Sequence, residues 1–329
     1  MIEVIVHGPV HEIRMARGPA NALDTELLTR LEAAVLAAPG NGAQAMVLSS
    51  AFPNFFSGGM DVPFLVGLDF AGMTAAWRKF FAACRALAGA PVPVVAAIPG
   101  HAPAGGCVLA LCCDYRVMGR GPGRIGLNET QVGLAVPDAI QHLLRRVVGP
   151  YRAERLVVAG AMLDAETAHR LGVVDELVEV DDVATRAREW VGALLALPRA
   201  PMLATRKLAR ADMIAALDAF GDPELDAFLA QWKDPDTQAA LQAVVARLRK
   251  CSAAPPRCSS RRPCWARARS RSRPSTRPWS GSGKEKACDW PSPQMADSPT
   301  GATRQAATSR STRRSRRSAP IASPRASAR

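Results

Sequence analysis

Residues 125–130 contain the side chain best suited to moving a proton. Their sequence, Ile-Gly-Leu-Asn-Glu-Thr, places one carboxylate, that of Glu129, in a polar turn between apolar residues. Partial burial raises the pKa of a carboxylate, and a base that removes a carbon-bound proton near neutral pH benefits from such a rise. Most loop glutamates are simply solvated, so Glu129 becomes a candidate base only through its relation to two other stretches.

Two glycine-rich turns are the natural electrostatic partners of such a base. Residues 57–61 follow a predicted strand, and their adjacent glycines allow a ligand to approach the main chain closely. Residues 103–107 lead into a predicted helix, whose free N–H groups suit a developing negative charge. Each turn alone is most simply an ordinary tight turn. If the two converge, they form an oxyanion hole that holds a carbonyl group beside Glu129.

Alternating strands and helices must position these three stretches. Short apolar patterns predict a hairpin over residues 2–6 and 10–15, buried strands over 45–49 and 92–98, and two further strands over 115–118 and 173–180. Helical patterns lie between them, over residues 24–38, 73–88, 107–111, 136–148 and 164–172. From residue 181 the pattern is helical throughout, and Asp234-Pro235 starts a last helix. The sequence therefore predicts an α/β core with an appended helical segment.

Apolar spacing also predicts which helix faces are buried. Asp24 and Asp164 are good N-caps for the helices that follow them. The residues predicted to face inward are Leu27, Leu28, Leu31 and Val35 in the first helix, Ile140, Leu143, Leu144 and Val147 in the helix over 136–148, and Leu241, Val244, Val245 and Leu248 in the last helix.

A Gly-x-Gly-x-x-Gly pattern at residues 121–126 is a false lead. A polar turn follows it at once instead of a helix, and no acidic residue lies about 20 positions further on at the end of a second strand, so we predict no dinucleotide site. The eight cysteines show no C-x-x-C pair and no Cys/His ligand spacing, so neither a metal site nor a disulfide framework is expected. Of the five dispersed histidines, His101 either lines the pocket or is solvated.

The net charge of +13 belongs to one end of the chain. Residues 251–329 hold 18 Lys and Arg against 3 Asp and Glu, which leaves 24 basic and 26 acidic residues in 1–250. This tail is rich in Arg, Ser, Pro and Ala and has no apolar periodicity, so we predict that it is disordered. There are two alternatives for this tail. The first is a basic arm that binds nucleic acid or the acidic surface of a partner, and the second is an out-of-frame translation of GC-rich coding sequence. Its patternless Trp and Cys favour the second alternative, so no nucleic-acid partner is expected.

The sequence shows no features of a membrane protein. The first residues lack the basic start and apolar run of a signal peptide. The longest apolar candidate, residues 92–113, is interrupted by prolines and glycines well before the roughly 18 residues that a membrane span needs. We therefore expect a soluble, cytoplasmic protein with no membrane partner.

Several short motifs together carry a resemblance to a known family. They are Asn21-Ala22-Leu23 after a Gly-Pro turn, residues 56–61 (Phe-Ser-Gly-Gly-Met-Asp), 103–107 (Pro-Ala-Gly-Gly-Cys), 113–116 (Cys-Asp-Tyr-Arg) and 125–129 (Ile-Gly-Leu-Asn-Glu), and Phe228 with Lys233-Asp234 before the last helix. This set resembles the crotonase (enoyl-CoA hydratase/isomerase) superfamily, and is most similar to its mitochondrial-type Δ3,Δ2-enoyl-CoA isomerases. The resemblance covers residues 1–250.

The resemblance implies an architecture and a class of ligand. It implies a crotonase-like spiral of ββα turns over residues 1–180, which binds acyl-CoA and carries out catalysis. A C-terminal helical segment over residues 181–250 would follow, for trimerisation and for covering the CoA. The implied partners are an acyl-CoA substrate and two further copies in a homotrimer. No cofactor is implied, because coenzyme A is part of the substrate.

The resemblance also implies roles for individual residues. The N–H groups of Met60 and Gly105 would form the oxyanion hole, and Glu129 matches the catalytic glutamate of the isomerases. The substrate path would be lined by Ser57, Gly58, Gly59, Met60, Asp61, Gly105 and Asn128. The CoA moiety would be contacted by Ala22, Phe228 and Lys233, with the Lys233 ammonium near a CoA phosphate.

Val108 separates two activities within this family. Hydratases of the family carry a second glutamate at this position, because hydration needs one group to activate water and another to manage the proton at C2. A 1,3-proton shift needs only one base, which takes a proton from C2 and returns it at C4. The sequence therefore favours an isomerase of fatty acid β-oxidation. The alternatives are another crotonase-fold enzyme, such as a hydratase or thioester hydrolase, and a non-catalytic acyl-CoA-binding homologue.

Overall fold

Six strands pair edge to edge to form the main sheet. The structure is a computed structural model that describes residues 1–253, with side chains through residue 248. In spatial order the strands are β1 (Ile2–His7), β2 (Val10–Met15), β3 (Ala45–Ser50), β4 (Val94–Ile98), β6 (Tyr115–Gly119) and β9 (Glu176–Val178). The β1–β2 pair is the predicted antiparallel hairpin, and all other neighbours in this sheet are parallel.

The two faces of this sheet are buried by different helices. Successive side chains of a strand point to opposite faces, so alternate residues of β3 and β4 enter separate clusters. Met46 and Leu48 belong to the large core, whereas Ala45 and Val47 belong to a second cluster on the opposite face. That second cluster is closed by apolar side chains of the helix Val183–Leu195. Burial on both faces explains why these strands are apolar almost without interruption.

A smaller sheet of three strands lies at the carboxyl ends of the main strands. It contains β5 (Ala102–Pro103), β7 (Arg124–Gly126) and β8 (Leu163–Asp164), in that order. β5 is parallel to β7, and β7 is antiparallel to β8. The chain passes from the main sheet to the small sheet twice in the same way, since β5 follows β4 and β7 follows β6.

The helices surround the two sheets. They are α1 (Thr25–Ala37), α2 (Val62–Leu65), α3 (Phe70–Ala88), α4 (Gly105–Leu111), α5 (Asp138–Val148), α6 (Pro150–Ala159), α7 (Ala165–Leu171), α8 (Val183–Leu195), α9 (Arg199–Ala209), α10 (Ala211–Asp218), α11 (Asp222–Ala230) and α12 (Pro235–Ala253). Short 3-10 turns lie at Glu129–Val132, Val180–Asp182 and Gln231–Lys233. The predicted order of an α/β core followed by helices is confirmed.

Local sequence signals identified most of these elements correctly. Asp24 and Asp164 cap α1 and α7 as predicted, by accepting hydrogen bonds from the third residue after each cap. The predicted inward face of α1 is the buried face. The Gly-x-Gly-x-x-Gly stretch ends in β7 and does not open a helix, as expected.

Two details of the prediction were wrong, and one helix, α6, was not predicted. Pro150 occupies the first turn of α6, where the missing N–H of proline costs nothing. The strand expected over 173–180 shrinks to β9, because the amides of Val173 and Val174 bind the Ala168 carbonyl at the end of α7. In α12, Leu248 is 44% exposed, although it was predicted to face inward. In α5, Val147 packs against the core as predicted but is only partly buried, and Val148 is buried.

The predicted disordered tail over residues 251–329 lies outside the described residues from residue 254 onward. Within residues 1–253, no helix is long and apolar enough to cross a membrane.

Candidate active site

Parallel pairing of β5 with β7 brings two of the predicted stretches together. Ala102 pairs with Ile125 and Pro103 with Gly126, so the chain leaves both strands at the same edge of the small sheet. One strand leads directly into Gly105 at the start of α4, and the other into Glu129. The Ala104 amide donates to the Gly126 carbonyl at 2.8 Å. This hydrogen bond holds the segments that follow β5 and β7 next to each other.

The turn over residues 57–61 packs against the start of α4. A methyl group added at Gly105 would lie 3.4 Å from the Met60 nitrogen, and one added at Gly59 would lie 3.4 Å from the Gly105 nitrogen. The two predicted oxyanion donors therefore belong to backbone segments in direct contact. Such contact requires glycine, because Gly59 has φ +78° and lies against the Pro103 carbonyl oxygen.

Gly106 permits the closest approach of the two turns. A methyl group added there would lie 2.7 Å from the Ser57 carbonyl oxygen, well inside van der Waals contact. Ala104, which precedes the helix, has φ +44° although it carries a side chain. Non-glycine residues in this region are rare and cost about 1–3 kcal/mol, and they concentrate at functional sites.

The loop over residues 17–24 holds the first turn from the other side. Leu23 pairs with Met60 as a parallel bridge. The Leu23 amide donates to the Gly59 carbonyl at 2.8 Å, and the Asp61 amide donates to the Leu23 carbonyl at 3.0 Å. In such a bridge the groups that flank the central residue make the hydrogen bonds, so the N–H of Met60 itself points away from the Leu23 main chain. Among the described residues, no main-chain carbonyl accepts a hydrogen bond from that N–H.

Glu129 is a buried carboxylate with an unsatisfied oxygen. It is 8% exposed at the start of the 3-10 turn, and its Oε2 has no hydrogen-bond partner within the described residues. Burial raises the pKa of Glu129 from the ordinary 4.5 to about 7, and a hydrogen bond from its own amide opposes the rise only in part. The group can therefore exchange a proton near neutral pH.

Comparison with Glu12 shows that a buried carboxylate without a side-chain partner is unusual among the described residues. Glu12 is also buried, at 5% exposure. Its carboxylate accepts from Ser49 at 2.7 Å, lies 2.9 Å from His7 and pairs with Arg188 at 3.2 Å. Glu12 is thus a structural ion pair, as buried charges usually are. Within residues 1–248, Glu129 is the buried carboxylate that has no side-chain partner.

Asn128 and Cys107 complete the immediate surroundings. Asn128 is 5% exposed, and its Oδ1 is a second buried acceptor without a donor in the described part of the chain. Burial and the nearby Glu129 carboxylate raise the pKa of the Cys107 thiol well above its ordinary range, so this thiol stays protonated. Within residues 1–248, no group of three or more His, Cys, Asp or Glu side chains is arranged to hold a metal ion.

The sequence profile of one family covers most of the chain. The family described as enoyl-CoA hydratase/isomerase matches residues 6–249. The chain belongs to this family. Family members act on acyl-CoA substrates, so the juxtaposed glycine turns and the buried carboxylate lie in an acyl-CoA enzyme fold.

Individual relatives include both isomerases and hydratases. The mitochondrial enoyl-CoA delta isomerase 1 of Mus musculus is 33% identical over 211 residues, which are 63% of this chain and 73% of the relative. The probable enoyl-CoA hydratase echA17 of Mycobacterium avium is 34% identical over 209 residues, which are 61% and 81%. The crystal structure of human mitochondrial Δ3-Δ2-enoyl-CoA isomerase aligns with a TM-score of 0.73 at 28% identity, covering 76% of this chain and 98% of that chain. The predicted crotonase fold is confirmed.

The family-derived CoA contacts lie at different depths in the structure. Phe228 is buried, with its ring centroid 4.7 Å from that of Trp77. The Lys233 ammonium lies 5.0 Å from the ring centroid of Phe70, which is half exposed. Ala22 is partly buried in the loop beside the first turn, and its carbonyl accepts from Arg17 at 2.9 Å. Ala22 thus adjoins the glycine turns, whereas Lys233 lies at the surface.

Val108 and His101, the two other residues that the sequence analysis places near the site, are both packed into the structure. Val108 is fully buried in α4, so no carboxylate stands at the position where hydratases of the family carry one. The Nδ1 atom of His101 accepts from the Arg124 amide at 3.2 Å, and its ring packs on Phe55. Burial, and then the nearby Arg124, lower the pKa of His101.

Sequence analysis missed the residues that hold the Glu129 turn in place. The Thr130 hydroxyl donates to the carbonyl of Val157 in α6 at 3.2 Å, and Gln131 donates at 2.8 Å to the carbonyl of Gly160, the residue that follows α6. On the other side, the buried Thr237 hydroxyl of α12 donates to the Gly133 carbonyl at 2.7 Å. These partners are up to 104 positions apart in sequence, so no local signal reveals them.

Asn21 was noted only as part of a family motif, yet it organises the first turn. It is fully buried with φ +49°, and its side-chain amide donates to the Phe56 carbonyl at 3.0 Å. Its own carbonyl accepts from the Ser57 hydroxyl at 2.8 Å. Asparagine tolerates this backbone region better than most residues. An asparagine in a short Pro-Ala-Asn turn was therefore the available signal.

Proposed function

We propose that this protein is a Δ3,Δ2-enoyl-CoA isomerase that moves the double bond of a 3-enoyl-CoA to give 2-trans-enoyl-CoA. The observation that carries the proposal is the buried Glu129, which has no side-chain partner and lies beside two glycine turns in direct contact. A single base of this kind suits a proton shift within one substrate. Val108 supports the same conclusion, because no second carboxylate is available there to activate water.

The proposed reaction begins with binding of the thioester oxygen between the amides of Met60 and Gly105. Glu129 removes a proton from C2, and the negative charge moves to the thioester oxygen as a dienolate. Protonated Glu129 then gives the proton to C4, and the double bond lies between C2 and C3. Each amide donor contributes about 3–4 kcal/mol to transition-state stabilisation.

The pKa of Glu129, about 7, fits both halves of this cycle. A base with a pKa near the working pH is substantially ionised before the reaction and still basic enough to take a carbon-bound proton. After the first step the same group is an acid that returns the proton without exchange with a second residue. No metal or redox cofactor takes part in this scheme.

The remaining contacts belong to the same proposal. Ser57, Gly58, Gly59, Asp61 and Asn128 line the path of the acyl-CoA in this scheme. Ala22, Phe228 and Lys233 contact the CoA moiety. Residues 1–180 form the catalytic core, and residues 181–250 mediate assembly into a homotrimer that acts in fatty acid β-oxidation in the cytoplasm.

The test is a product assay on 3-enoyl-CoA and 2-enoyl-CoA with wild type and Glu129→Gln. We expect isomerisation of 3-enoyl-CoA by wild type, rising with pH towards a plateau above about 7. Glu129→Gln should reduce this rate by roughly 100- to 10,000-fold. Glu154→Gln, on the exposed side of α6, is the matched control and should keep full activity. Hydration of 2-enoyl-CoA without isomerisation, or an active Glu129→Gln enzyme, would show that the proposal is wrong.

A further inference from the structure

The side chain of Arg17 joins two helix starts on either side of the first glycine turn. Its Nη2 atom lies 2.9 Å from Asp24 Oδ2 and 2.8 Å from Asp61 Oδ2. Its Nη1 atom donates to the Ala22 carbonyl at 2.9 Å. The three side chains are at most 23% exposed. One guanidinium therefore connects Asp24 and the Ala22 carbonyl, in the loop over residues 17–24, to Asp61 in the first glycine turn.

Each aspartate divides its two oxygens between Arg17 and a helix. Asp24 Oδ1 accepts from the Leu27 amide at 2.8 Å at the start of α1. Asp61 Oδ1 accepts from the Phe64 amide at 3.1 Å at the start of α2. Both carboxylates are thus fixed in orientation by a helix and in position by the same cation. A planar guanidinium with several donors suits this arrangement better than an ammonium does.

Asp61 is covalently next to Met60, whose amide is the proposed oxyanion donor. The hydrogen bonds of Leu23 fix Gly59 and Asp61, the two neighbours of Met60. Arg17 adds a side-chain link between Asp61 and the loop that contains Leu23. The direction of the Met60 N–H therefore depends on the position of residues 59–61, and Arg17 helps to hold these residues against the loop that contains Leu23.

We propose that Arg17 is a positioning residue for the Met60 amide, an inference that rests on the proposed function. Both carboxylates contact one nitrogen atom, so removing the guanidinium leaves two like charges close together. Their repulsion separates residues 59–61 from residues 22–24 and moves the Met60 amide away from Gly105. A displacement of about 1 Å in a catalytic group costs about 100-fold in rate.

The test compares Arg17→Met and Arg17→Lys with wild type in isomerisation of 3-enoyl-CoA. We expect kcat to fall about 100-fold in Arg17→Met and about 10-fold in Arg17→Lys. The lysine ammonium restores the positive charge but not the planar set of N–H donors that contacts both carboxylates and the Ala22 carbonyl. KM should rise by a smaller factor than kcat falls, because the full negative charge on the thioester oxygen develops only in the transition state. Arg14→Met is the matched control. It removes an exposed ion pair with Glu3 on the hairpin and should leave kcat unchanged.

A spectroscopic measurement separates positioning from general stability. A 3-ketoacyl-CoA can lose a proton to give an enolate that absorbs in the near ultraviolet, and an oxyanion hole that stabilises this negative charge would increase the enolate fraction of the bound compound. We expect this absorbance to fall in the order wild type, Arg17→Lys, Arg17→Met, among proteins with the same circular dichroism. Unchanged kcat and enolate absorbance in Arg17→Lys and Arg17→Met, or a rise in KM alone, would overturn the inference. If wild type forms the enolate but does not isomerise 3-enoyl-CoA, the proposed function fails while the role of Arg17 is still tested.

Discussion

Replacing Glu129 by glutamine should stabilise the protein in a pH-dependent manner. Burial raises the pKa of Glu129 from 4.5 to about 7, so the folded protein keeps this proton at pH values where the unfolded chain has released it. Between these two values the free energy of unfolding therefore decreases as pH rises. The full loss corresponds to about 3 kcal/mol. Glutamine has nearly the same shape and no charge, so the variant escapes the loss.

The expected difference between the two proteins can be stated at each pH. Glu129→Gln should exceed wild type in unfolding free energy by less than about 1 kcal/mol at pH 5, because this pH lies only just above the ordinary pKa of 4.5 and the pH-dependent loss has only begun. The excess should grow to about 3 kcal/mol at pH 8, above both pKa values. Urea unfolding at pH 5, 6, 7 and 8 measures this, and the other titrating groups cancel because they are present in both proteins.

A control and an opposite outcome make the measurement decisive. Glu154→Gln changes the same side chain on the exposed side of α6, and should follow the wild-type pH dependence. If the curves for wild type and Glu129→Gln run parallel from pH 5 to 8, Glu129 is not destabilised by burial. The reasoning that makes it a base near neutral pH would then be refuted, whatever the activity of the variant.

Two further substitutions test how the site is held together. Gly106→Ala places a methyl group 2.7 Å from the Ser57 carbonyl oxygen, so the turns must separate, and we expect a loss of about 100-fold in kcat. Gly192→Ala, at an open position of α8, is its control and should raise thermal stability slightly while keeping activity. Thr237→Val removes the 2.7 Å hydrogen bond to the Gly133 carbonyl, which should lower the unfolding free energy by about 1–2 kcal/mol and reduce kcat. Thr237→Ser should restore both, and equal behaviour of the valine and serine variants would contradict this role.

Local interactions explain why much of the fold was predictable from sequence. The capping of α1 by Asp24 joins residues three positions apart, and the buried face of α1 follows from helical spacing alone. The hairpin of β1 and β2 likewise depends on neighbouring residues. The helix α6 was not predicted, because Gly149-Pro150 ends α5 and, with proline in the first turn, also begins α6. Such an ambiguity is resolved only by what the following residues pack against.

The amino-acid sequence by itself determined the chemical components of the site. Glycines at 59, 105 and 106 allow close backbone contact, Glu129 supplies a carboxylate between apolar residues, and valine at 108 removes a second one. Each of these properties belongs to a residue type and its immediate neighbours. They predict which groups can act on a carbonyl compound.

Only the tertiary structure decided how these components meet. The parallel pairing of β5 with β7 brings Gly105 to the side of Glu129, and Arg17 reaches Asp61 across 44 positions of sequence. The unsatisfied Oε2 of Glu129 is equally a tertiary property, because it depends on what every other segment leaves unpaired. Contacts between distant residues require closure of long loops and packing of the whole core, so their free energy is not encoded in any local pattern.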